Sequence, residues 1–323
     1  MRTFYESRYR FYNQLGKIPF NILILSDIHF SHIVKNKQLN SIVKYAREQK
    51  PEYILIPGDI VDSLTEIDGA HELARLCNFF EKLGKIAPTF AILGNHDFYI
   101  VPEGYKCNIK SPWAIRQPDI LRSELNKIPG VTLLDNQSYE DERIHIFGFT
   151  QTPEYFWMNL IEEGASERGI LPEDKNTLIE DIKKIDSKHL SKLPQNRLKI
   201  ALMHSPIRVS DPDVSKYFDE FDFIICGHTH NGATPPVLQD FWRSDRGLTA
   251  PGRREKFPHN VRIGLYPPEK RLIICGAINS ISVHAKPFAF LNHFFPVFTT
   301  RLEISDNPIY KRKPDQKHKY ISF

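Results

Sequence analysis

The chain has 323 residues, of which 41% are hydrophobic and 25% charged, which excludes a disordered or fibrous protein. Its 43 basic and 39 acidic residues nearly balance, so the sequence indicates no specific nucleic-acid binding. Much of the small excess lies near the C-terminus, at Lys311, Arg312, Lys313, Lys317 and Lys319. We interpret that segment as a solvated basic tail. The length allows one large α/β domain or two smaller ones.

Strands and helices are predicted to alternate in the first part of the chain. Short apolar runs predict three strands, at Ile22–Leu25, Tyr53–Ile56 and Thr89–Leu93. Apolar residues at helical spacing predict one helix between Lys35 and Lys50 and another between Gly69 and Leu83. This β-α-β-α-β order is typical of a mainly parallel sheet with helices packed on it.

The rest of the chain is predicted to be less regular. A helix is expected between Pro118 and Lys127 and another within Leu171–Lys192. Apolar runs predict further strands, at Val131–Leu134, Ile144–Phe149, Leu198–Met203, Phe223–Cys226 and around Leu272. The proline-rich stretch Thr234–Pro268 predicts a long loop near the pocket. We expect one domain over residues 1–305, with insertions near 101–141 and 151–195, followed by the basic tail at 306–323.

Five polar motifs each follow a predicted strand. They are Asp27-x-His29, Gly58-Asp59-x-x-Asp62, Gly94-Asn95-His96-Asp97, His204, and Gly227-His228-Thr229-His230. In open α/β sheets, ligands bind outside the carboxyl ends of the strands, so we expect these side chains to converge there. Carboxylates, imidazoles and an amide in these numbers suit two divalent cations rather than one. One such motif arises easily by chance, but five in order at five strand ends do not.

The spacing within the motifs indicates how they share cations. In extended chain, residues two apart point to the same side, so Asp27 and His29 can bind one cation together. His228 and His230 can bind the same cation or one each. The missing side chain of Gly58 lets the backbone approach a ligand closely. The carboxylate of Asp59 can then bridge two cations about 3.5–4 Å apart.

With these motifs, the chain resembles the calcineurin-like metallophosphoesterase family between about Asn21 and Ala277. Its C-terminal third resembles bacterial members whose substrate is unassigned. The resemblance implies a four-layer α/β/β/α sandwich with a dinuclear metal site at the C-terminal ends of the strands. It also implies hydrolysis of a phosphate ester, in particular a phosphodiester or pyrophosphate, by attack of a metal-bound hydroxide.

The resemblance assigns a role to each motif residue. The first metal would be held by Asp27, His29, Asp59 and His230, and the second by Asp59, Asn95, His204 and His228. His96 would stand beside the metals and assist catalysis, Asp97 would orient His96, and Asp62 would support the ligands from behind. The donor types favour two divalent or trivalent ions of manganese, iron or zinc.

Two alternatives differ in substrate or in activity. An aromatic and apolar cluster near the end either packs the second sheet or forms a rim for a lipid-linked or nucleotide-lipid pyrophosphate at a membrane surface. Its members are Phe288, Phe290, Leu291, Phe294, Phe295, Val297 and Phe298. A metal-bound scaffold without catalysis is the other alternative. The complete set of His96, His204, His228 and His230 argues against it.

The cysteines and the N-terminal residues indicate where the protein works. Cys77, Cys107, Cys226 and Cys275 lie far apart and form no C-x-x-C pair, which is typical of a reduced intracellular protein. We interpret Cys226 as a small core residue rather than a metal ligand. The first twenty residues contain no apolar stretch long enough for a signal peptide or membrane anchor. We therefore expect a cytoplasmic location.

Overall fold

Two β-sheets packed on each other form the centre of the protein. The computed structural model describes residues 4–12, 19–101, 114–156, 175–189, 193–194, 196–230, 264–266, 271–279, 292, 297–305 and 317–321. Its strands, in chain order, are β1 (Phe4–Tyr12), β2 (Phe20–Ile24), β3 (Tyr53–Pro57), β4 (Thr89–Ile92), β5 (Tyr99–Ile100), β6 (Ala114–Ile115), β7 (Val131–Leu133), β8 (Gln137–Glu140), β9 (Ile144–Phe149), β10 (Leu198–Met203), β11 (Phe223–Cys226), β12 (Gly264–Tyr266), β13 (Leu272–Ile274), β14 (Val297–Ser305) and β15 (Lys317–Ile321).

Helices connect many of these strands. The α-helices are α1 (Asn36–Gln49), α2 (Ala70–Gly84), α3 (Asp119–Leu125), α4 (Pro153–Phe156), α5 (Lys175–His189) and α6 (Pro212–Ser215). Short 3₁₀ turns lie at Leu64–Ile67, His96–Phe98 and Lys216–Phe218. In α1 and α2, buried apolar residues recur at three- and four-residue spacing, because one face of each helix packs on a sheet.

Within each sheet, the strands that precede the polar motifs are parallel to one another. The larger sheet has seven strands in the order β15-β1-β14-β2-β3-β4-β7, and the smaller has six in the order β12-β13-β11-β10-β9-β8. β2, β3 and β4 pair in parallel in the first sheet. β9, β10 and β11 do the same in the second. The carboxyl ends of the parallel strands therefore lie together at one edge of each sheet.

Three apolar clusters define four layers. The cluster between the sheets joins residues such as Ile22 and Leu55 of the first sheet to Ile200 of the second. The next residue in β2, Leu23, points the opposite way and packs in a cluster with α1, α2 and α3. The outer face of the second sheet packs on α5 and α6 through Leu178 and Val214. The predicted four-layer α/β/β/α sandwich is confirmed.

Most predicted elements are confirmed, and two expectations need correction. The segment 317–321, expected in a solvated tail, forms β15 and pairs with β1. Most of the expected loop at 234–268 lies outside the described residues, but residues 264–266 form β12, which pairs with β13. β12 and β15 gain their stability from pairing with other strands, which local pattern does not reveal. The predicted strand at Val131–Leu134 is confirmed as β7; it lies at the edge of the first sheet, within the stretch expected as an insertion.

The C-terminal aromatic cluster is described only in part. Val297 and Phe298 belong to β14 and are fully buried, in agreement with the packing interpretation. The other five members, Phe288, Phe290, Leu291, Phe294 and Phe295, lie outside the described residues. None of the helices in the described part of the chain has the length and apolar character needed to span a bilayer.

Candidate metal centre

The structure brings the predicted metal ligands together with Asp62 and His96 at the ends of five strands. Within three groups, the donor atoms lie within 4.8 Å of one another. These groups are Asp27, His29, Asp59 and His230; Asp59, His204 and His228; and His29, Asp62 and His96. Asn95 joins the second group through its side-chain oxygen. Nearly all these side chains are buried, which isolates their charges from water.

The first group has the spacing of a coordination sphere. Nε2 of His230 lies 3.1 Å from Oδ1 of Asp27 and 3.0 Å from Nε2 of His29. Oδ2 of Asp59 lies 3.5 Å from the same nitrogen of His29. Ligands about 2.1 Å from a cation, at tetrahedral or octahedral angles, are about 3.0–3.4 Å apart. Four donors from three chain segments thus converge on one point.

The second group centres on His204, whose protonation its neighbours determine. Nδ1 of His204 donates to the carbonyl oxygen of Pro57 at 2.8 Å, because a carbonyl can only accept. In the neutral ring, Nε2 then carries a lone pair. That nitrogen lies 3.0 Å from Oδ1 of Asn95, 3.2 Å from Oδ2 of Asp59 and 3.2 Å from Nδ1 of His228. The lone pair on Nε2 thus faces the side-chain oxygens of Asn95 and Asp59 in a buried site. Such a contact is repulsive unless a proton or a cation lies between the nitrogen and the oxygens.

Asp59 belongs to both groups. Its Oδ1 accepts the backbone N–H of His96 at 2.9 Å. Its Oδ2 is buried, and no donor among the described residues meets it with hydrogen-bond geometry. A buried carboxylate oxygen without a donor is costly unless a cation neutralises it. The position of Oδ2 between His29 and His204 therefore fits an oxygen that bridges two metal ions.

The electrostatics of the centre favour positive charge. Burial opposes protonation of His29, but Asp62 and Asp59 raise its pKa to about 9. His204 behaves alike: burial opposes its charge, and Asp59 raises its pKa to about 9. Burial works against the charged form of Asp27 as well, yet His230 and His204 lower its pKa. Without metals, protons on the imidazoles supply the positive charge that the carboxylates require.

The backbone of the ligand loops is unusual. The described part of the chain has eight non-glycine residues with positive φ, and five are predicted metal ligands: Asp27 (53°), His29 (43°), Asp59 (51°), His228 (67°) and His230 (49°). Such residues are uncommon and concentrate at functional sites. The extended-chain argument for the first motif is therefore wrong. Asp27 and His29 converge because both adopt the left-handed conformation.

Two motif glycines make room for the carboxylates. A Cβ atom on Gly94 would collide with Oδ1 and the backbone nitrogen of Asp59. One on Gly227 would collide with the side chains of Ser26 and Asp27. The loops that carry the motifs therefore approach each other more closely than they could if Gly94 or Gly227 had a side chain.

His96 stands at the edge of the centre, with 16% of its side chain exposed. Its Nδ1 donates to the carbonyl oxygen of Asp62 at 2.7 Å. The side chain of the same residue lies behind a predicted ligand, with Oδ1 of Asp62 3.2 Å from Nδ1 of His29. Asp62 thus holds both rings, as a group supporting the ligands from behind should.

The expected partner of His96 is corrected. The carboxylate of Asp97 accepts the backbone N–H groups of Val61 at 2.9 Å and Gly94 at 2.8 Å. Both its oxygens therefore bind the backbone of the motif loops, while Asp62 orients the ring of His96. Burial, together with the negative charge of Asp59, raises the pKa of Asp97 to about 7. Asp97 acts on the loops rather than on the ring.

Two supporting residues were missed in the sequence. Oε1 of Gln151 accepts the N–H of Ser205 at 2.6 Å, and its Nε2 donates to the carbonyl of Ser205 at 3.2 Å. This buried side chain thus clamps the loop that follows His204. Gln151 stands two residues past β9, so the rule that found the motifs, polar residues after an apolar strand, would have found it. The other is Asn279, which donates hydrogen bonds to the carbonyls of Asp27 and Ile28. It has no comparable signal, because it comes five residues after β13.

Cys226 takes no part in the centre. It is fully buried and packs in the apolar cluster behind the second sheet, as expected of a core residue. Burial raises the pKa of its thiol well above the usual value, which keeps it protonated.

The family follows from comparison with known sequences. A family model described as Calcineurin-like phosphoesterase matches residues 20–232, which is more than half of the chain and includes every motif. The chain belongs to this family. One relative, Phosphodiesterase YaeI of Escherichia coli, is 25% identical over 218 residues, or 66% of this chain. Another, Uncharacterized metallophosphoesterase Cj0846 of Campylobacter jejuni, is 25% identical over 276 residues, or 84% of this chain.

The matches to relatives and solved structures are partial. The alignments span 62% of the length of the Escherichia coli protein and 60% of the Campylobacter protein. Among solved structures, a dimetal phosphatase from Danio rerio aligns over 82% of this chain and 89% of its own, with 13% identity and a TM-score of 0.39. Likeness at that level says nothing further about this chain.

Proposed function

We propose that this member of the family is a metal-dependent hydrolase of phosphate esters, and in particular of phosphodiesters or pyrophosphates. Asp27, His29, Asp59 and His230 would hold one metal ion, and Asp59, Asn95, His204 and His228 the other. The observation that supports this most directly is the shared, buried Oδ2 of Asp59. A single-metal site would not need an oxygen within reach of both groups.

The donor set also bears on the kind of metal. Two such ions, when bound, activate water and neutralise the charge that develops on the phosphoryl group. Imidazoles mixed with oxygen donors favour manganese, iron or zinc over magnesium or calcium. The absence of a thiolate from the donor set argues against a closed structural zinc site.

His96 is the residue that we propose to move a proton. Its Nδ1 proton is committed to the Asp62 carbonyl, so Nε2 is the nitrogen that exchanges protons. Burial lowers the pKa of His96 to about 4, and the ring is neutral at neutral pH. A bound phosphate would bring negative charge close to the ring and favour its protonation. The protonated ring would then pass that proton to the departing oxygen.

The test of this role is His96→Ala in manganese-loaded protein with a bis-aryl phosphate. General acid catalysis supplies about 10²–10⁴-fold, so turnover should fall by that factor. Metal content, measured by elemental analysis, should stay at two ions per chain. His71→Ala is the matched control, since the side chain of His71 is 81% exposed and lies outside the three donor groups. Loss of metal from His96→Ala would contradict the role proposed for His96.

The substrate class requires a separate screen. Phosphomonoesters, cyclic nucleotides, nucleotide diesters and a lipid-linked pyrophosphate would be compared on the manganese-loaded protein. The last would be tested with and without detergent. We expect diesters or pyrophosphates to be hydrolysed fastest, in line with the phosphodiesterase name of the Escherichia coli relative. A fully metallated protein that hydrolyses none of them would favour the scaffold alternative.

A further inference from the structure

The segment from Cys275 to Asn279 connects the two sheets next to the loops that carry the candidate metal ligands. At its start, the N–H of Cys275 donates to the carbonyl of Cys226 at 2.8 Å, next to the loop of His228 and His230. At its end, the N–H of Ile278 donates to the carbonyl of Ser26 at 2.9 Å. The chain thus passes from the second sheet to the ligand loop of the first.

Asn279 completes this connection with both its backbone and its side chain. Its N–H donates to the carbonyl of Asp27 at 3.2 Å, and its Nδ2 donates to the carbonyl of Ile28 at 2.6 Å. Its Oδ1 accepts from Nε2 of Gln38 in α1 at 2.9 Å. Only 4% of the residue is exposed. One buried residue therefore holds the two consecutive carbonyl groups that lie between Asp27 and His29.

Those two carbonyls determine where the ligands point. Asp27 and His29 have φ angles of 53° and 43°, a conformation that persists only where the surroundings impose it. The N–H of Asn279 would still hold the carbonyl of Asp27 after a substitution, but without the side-chain amide the carbonyl of Ile28 would be released, and the loop could relax toward an ordinary conformation. The side chains of Asp27 and His29 would then no longer meet His230.

We infer that Asn279 is a positioning residue for the first metal, acting through the conformation of Asp27–His29; this role rests on the proposed function. It touches neither metal nor substrate. The amide is suited to the task because one end donates to Ile28 while the other accepts from Gln38. Asn279→Asp would keep the acceptor and place an oxygen against the carbonyl of Ile28.

The main experiment measures Mn²⁺ binding by isothermal titration calorimetry. Loss of a supporting residue typically weakens metal binding by about 10–100-fold. In Asn279→Ala and Asn279→Asp, we expect this loss in one binding step only, while the other changes by less than about threefold. The weakened step must be the one that His230→Ala abolishes, because His230 belongs only to the first group. Equal weakening of both steps, or no weakening, would overturn the inference.

The matched control is Asn126→Ala. The side-chain oxygen of Asn126 also accepts a backbone N–H, that of Leu133 at 2.8 Å, but it holds the edge strand β7. Its removal should leave both Mn²⁺ steps unchanged. A change in either step would mean that loss of an asparagine cap anywhere loosens the centre, and would overturn a specific role for Asn279.

A second measurement does not depend on metal. The N–H groups of His29 and Phe30 donate to the carbonyls of Asp59 and Ile60 at 3.0 and 2.9 Å. In chelator-treated Asn279→Ala, hydrogen exchange of the peptide covering residues 26–32 should be faster than in the parent protein. Unchanged exchange would contradict the role. A parent protein that bound fewer than two Mn²⁺ ions would contradict the proposed function instead, and exchange would still decide on Asn279.

Discussion

The two sheets contribute different chemistry to the same centre. Loops of the seven-stranded sheet carry both carboxylates that we propose as metal ligands, Asp27 and Asp59, together with His29 and Asn95. Loops of the six-stranded sheet carry only imidazoles, those of His204, His228 and His230. Neither sheet alone has a complete set for either proposed metal. The centre therefore forms only when the sheets pack, and bound metal should in turn hold the sheets together.

Asp59→Asn is the sharpest way to break this shared arrangement, because Asp59 alone belongs to both groups. The substitution keeps the acceptor for the N–H of His96 but removes the negative charge from Oδ2, the oxygen near both His29 and His204. We expect both metals to be lost and turnover to fall by more than the roughly 10²–10⁴-fold expected of His96→Ala. Elemental analysis and a bis-aryl phosphate assay would measure this. Asp135→Asn, at a half-buried carboxylate that pairs with Arg122 outside the three donor groups, is the control. Retention of both ions would contradict the bridging role.

Gln151→Ala tests the second donor group, which contains His204, separately from the first. The substitution releases the N–H and the carbonyl of Ser205 and so loosens His204. We expect the second Mn²⁺ step to weaken by about 10–100-fold and the first to remain. Calorimetry would compare the variant with His204→Ala, which should abolish the same step. If Gln151→Ala affected the step that His230→Ala removes, the two donor groups would not act separately.

The pH dependence of the chelated protein tests whether protonated imidazoles balance the negative charge of the buried carboxylates. The pKa values of His29 and His204, raised from 6.5 to about 9, add stability that is fully present below pH 6.5 and lost as pH rises through 9. Asp97, whose pKa is raised to about 7, is ionised in both the folded and the unfolded protein above that pH, so it causes no further change in stability there. The thermal midpoint of the chelated protein should therefore fall between pH 7 and 10, as followed by circular dichroism. A midpoint that rose over this range would contradict protonated imidazoles.

The smallest expected effect lies at a contact between the sheets that is remote from the metals. The hydroxyl of Tyr53 in β3 donates to Oδ2 of Asp141 at 2.6 Å. Because a hydrogen bond to a charged group is lost, Tyr53→Phe should lower the free energy of unfolding by about 1–2 kcal/mol. Metal content and turnover should not change. Urea denaturation would measure the loss, with Tyr139→Phe as control, since its bond to Asp141 is longer at 3.3 Å. Loss of metal in Tyr53→Phe would mean that contacts between the sheets far from the centre also affect metal binding.

The sequence predicted the features that are local. Apolar runs such as Leu198–Met203 located the central strands, and the polar residues after them located the side chains that converge. It did not predict β1, because pairing between β1 and β14 depends on residues at opposite ends of the chain. It did not predict the left-handed backbone of Asp27 or the partners of Asp97 either. Those depend on hydrogen bonds from other loops, which no spacing rule encodes.

The position of β1 has a consequence for how the protein is made. β1 lies between β14 and β15, and its Arg10 contacts Glu303, 293 residues further along the chain. On the ribosome, the backbone groups of β1 cannot form their hydrogen bonds to β14 and β15 until nearly all the described chain has been synthesised. Until then, β1 is an unsatisfied edge that other chains can pair with. Synthesis, more than the finished fold, is therefore the stage at which this protein is most exposed to aggregation.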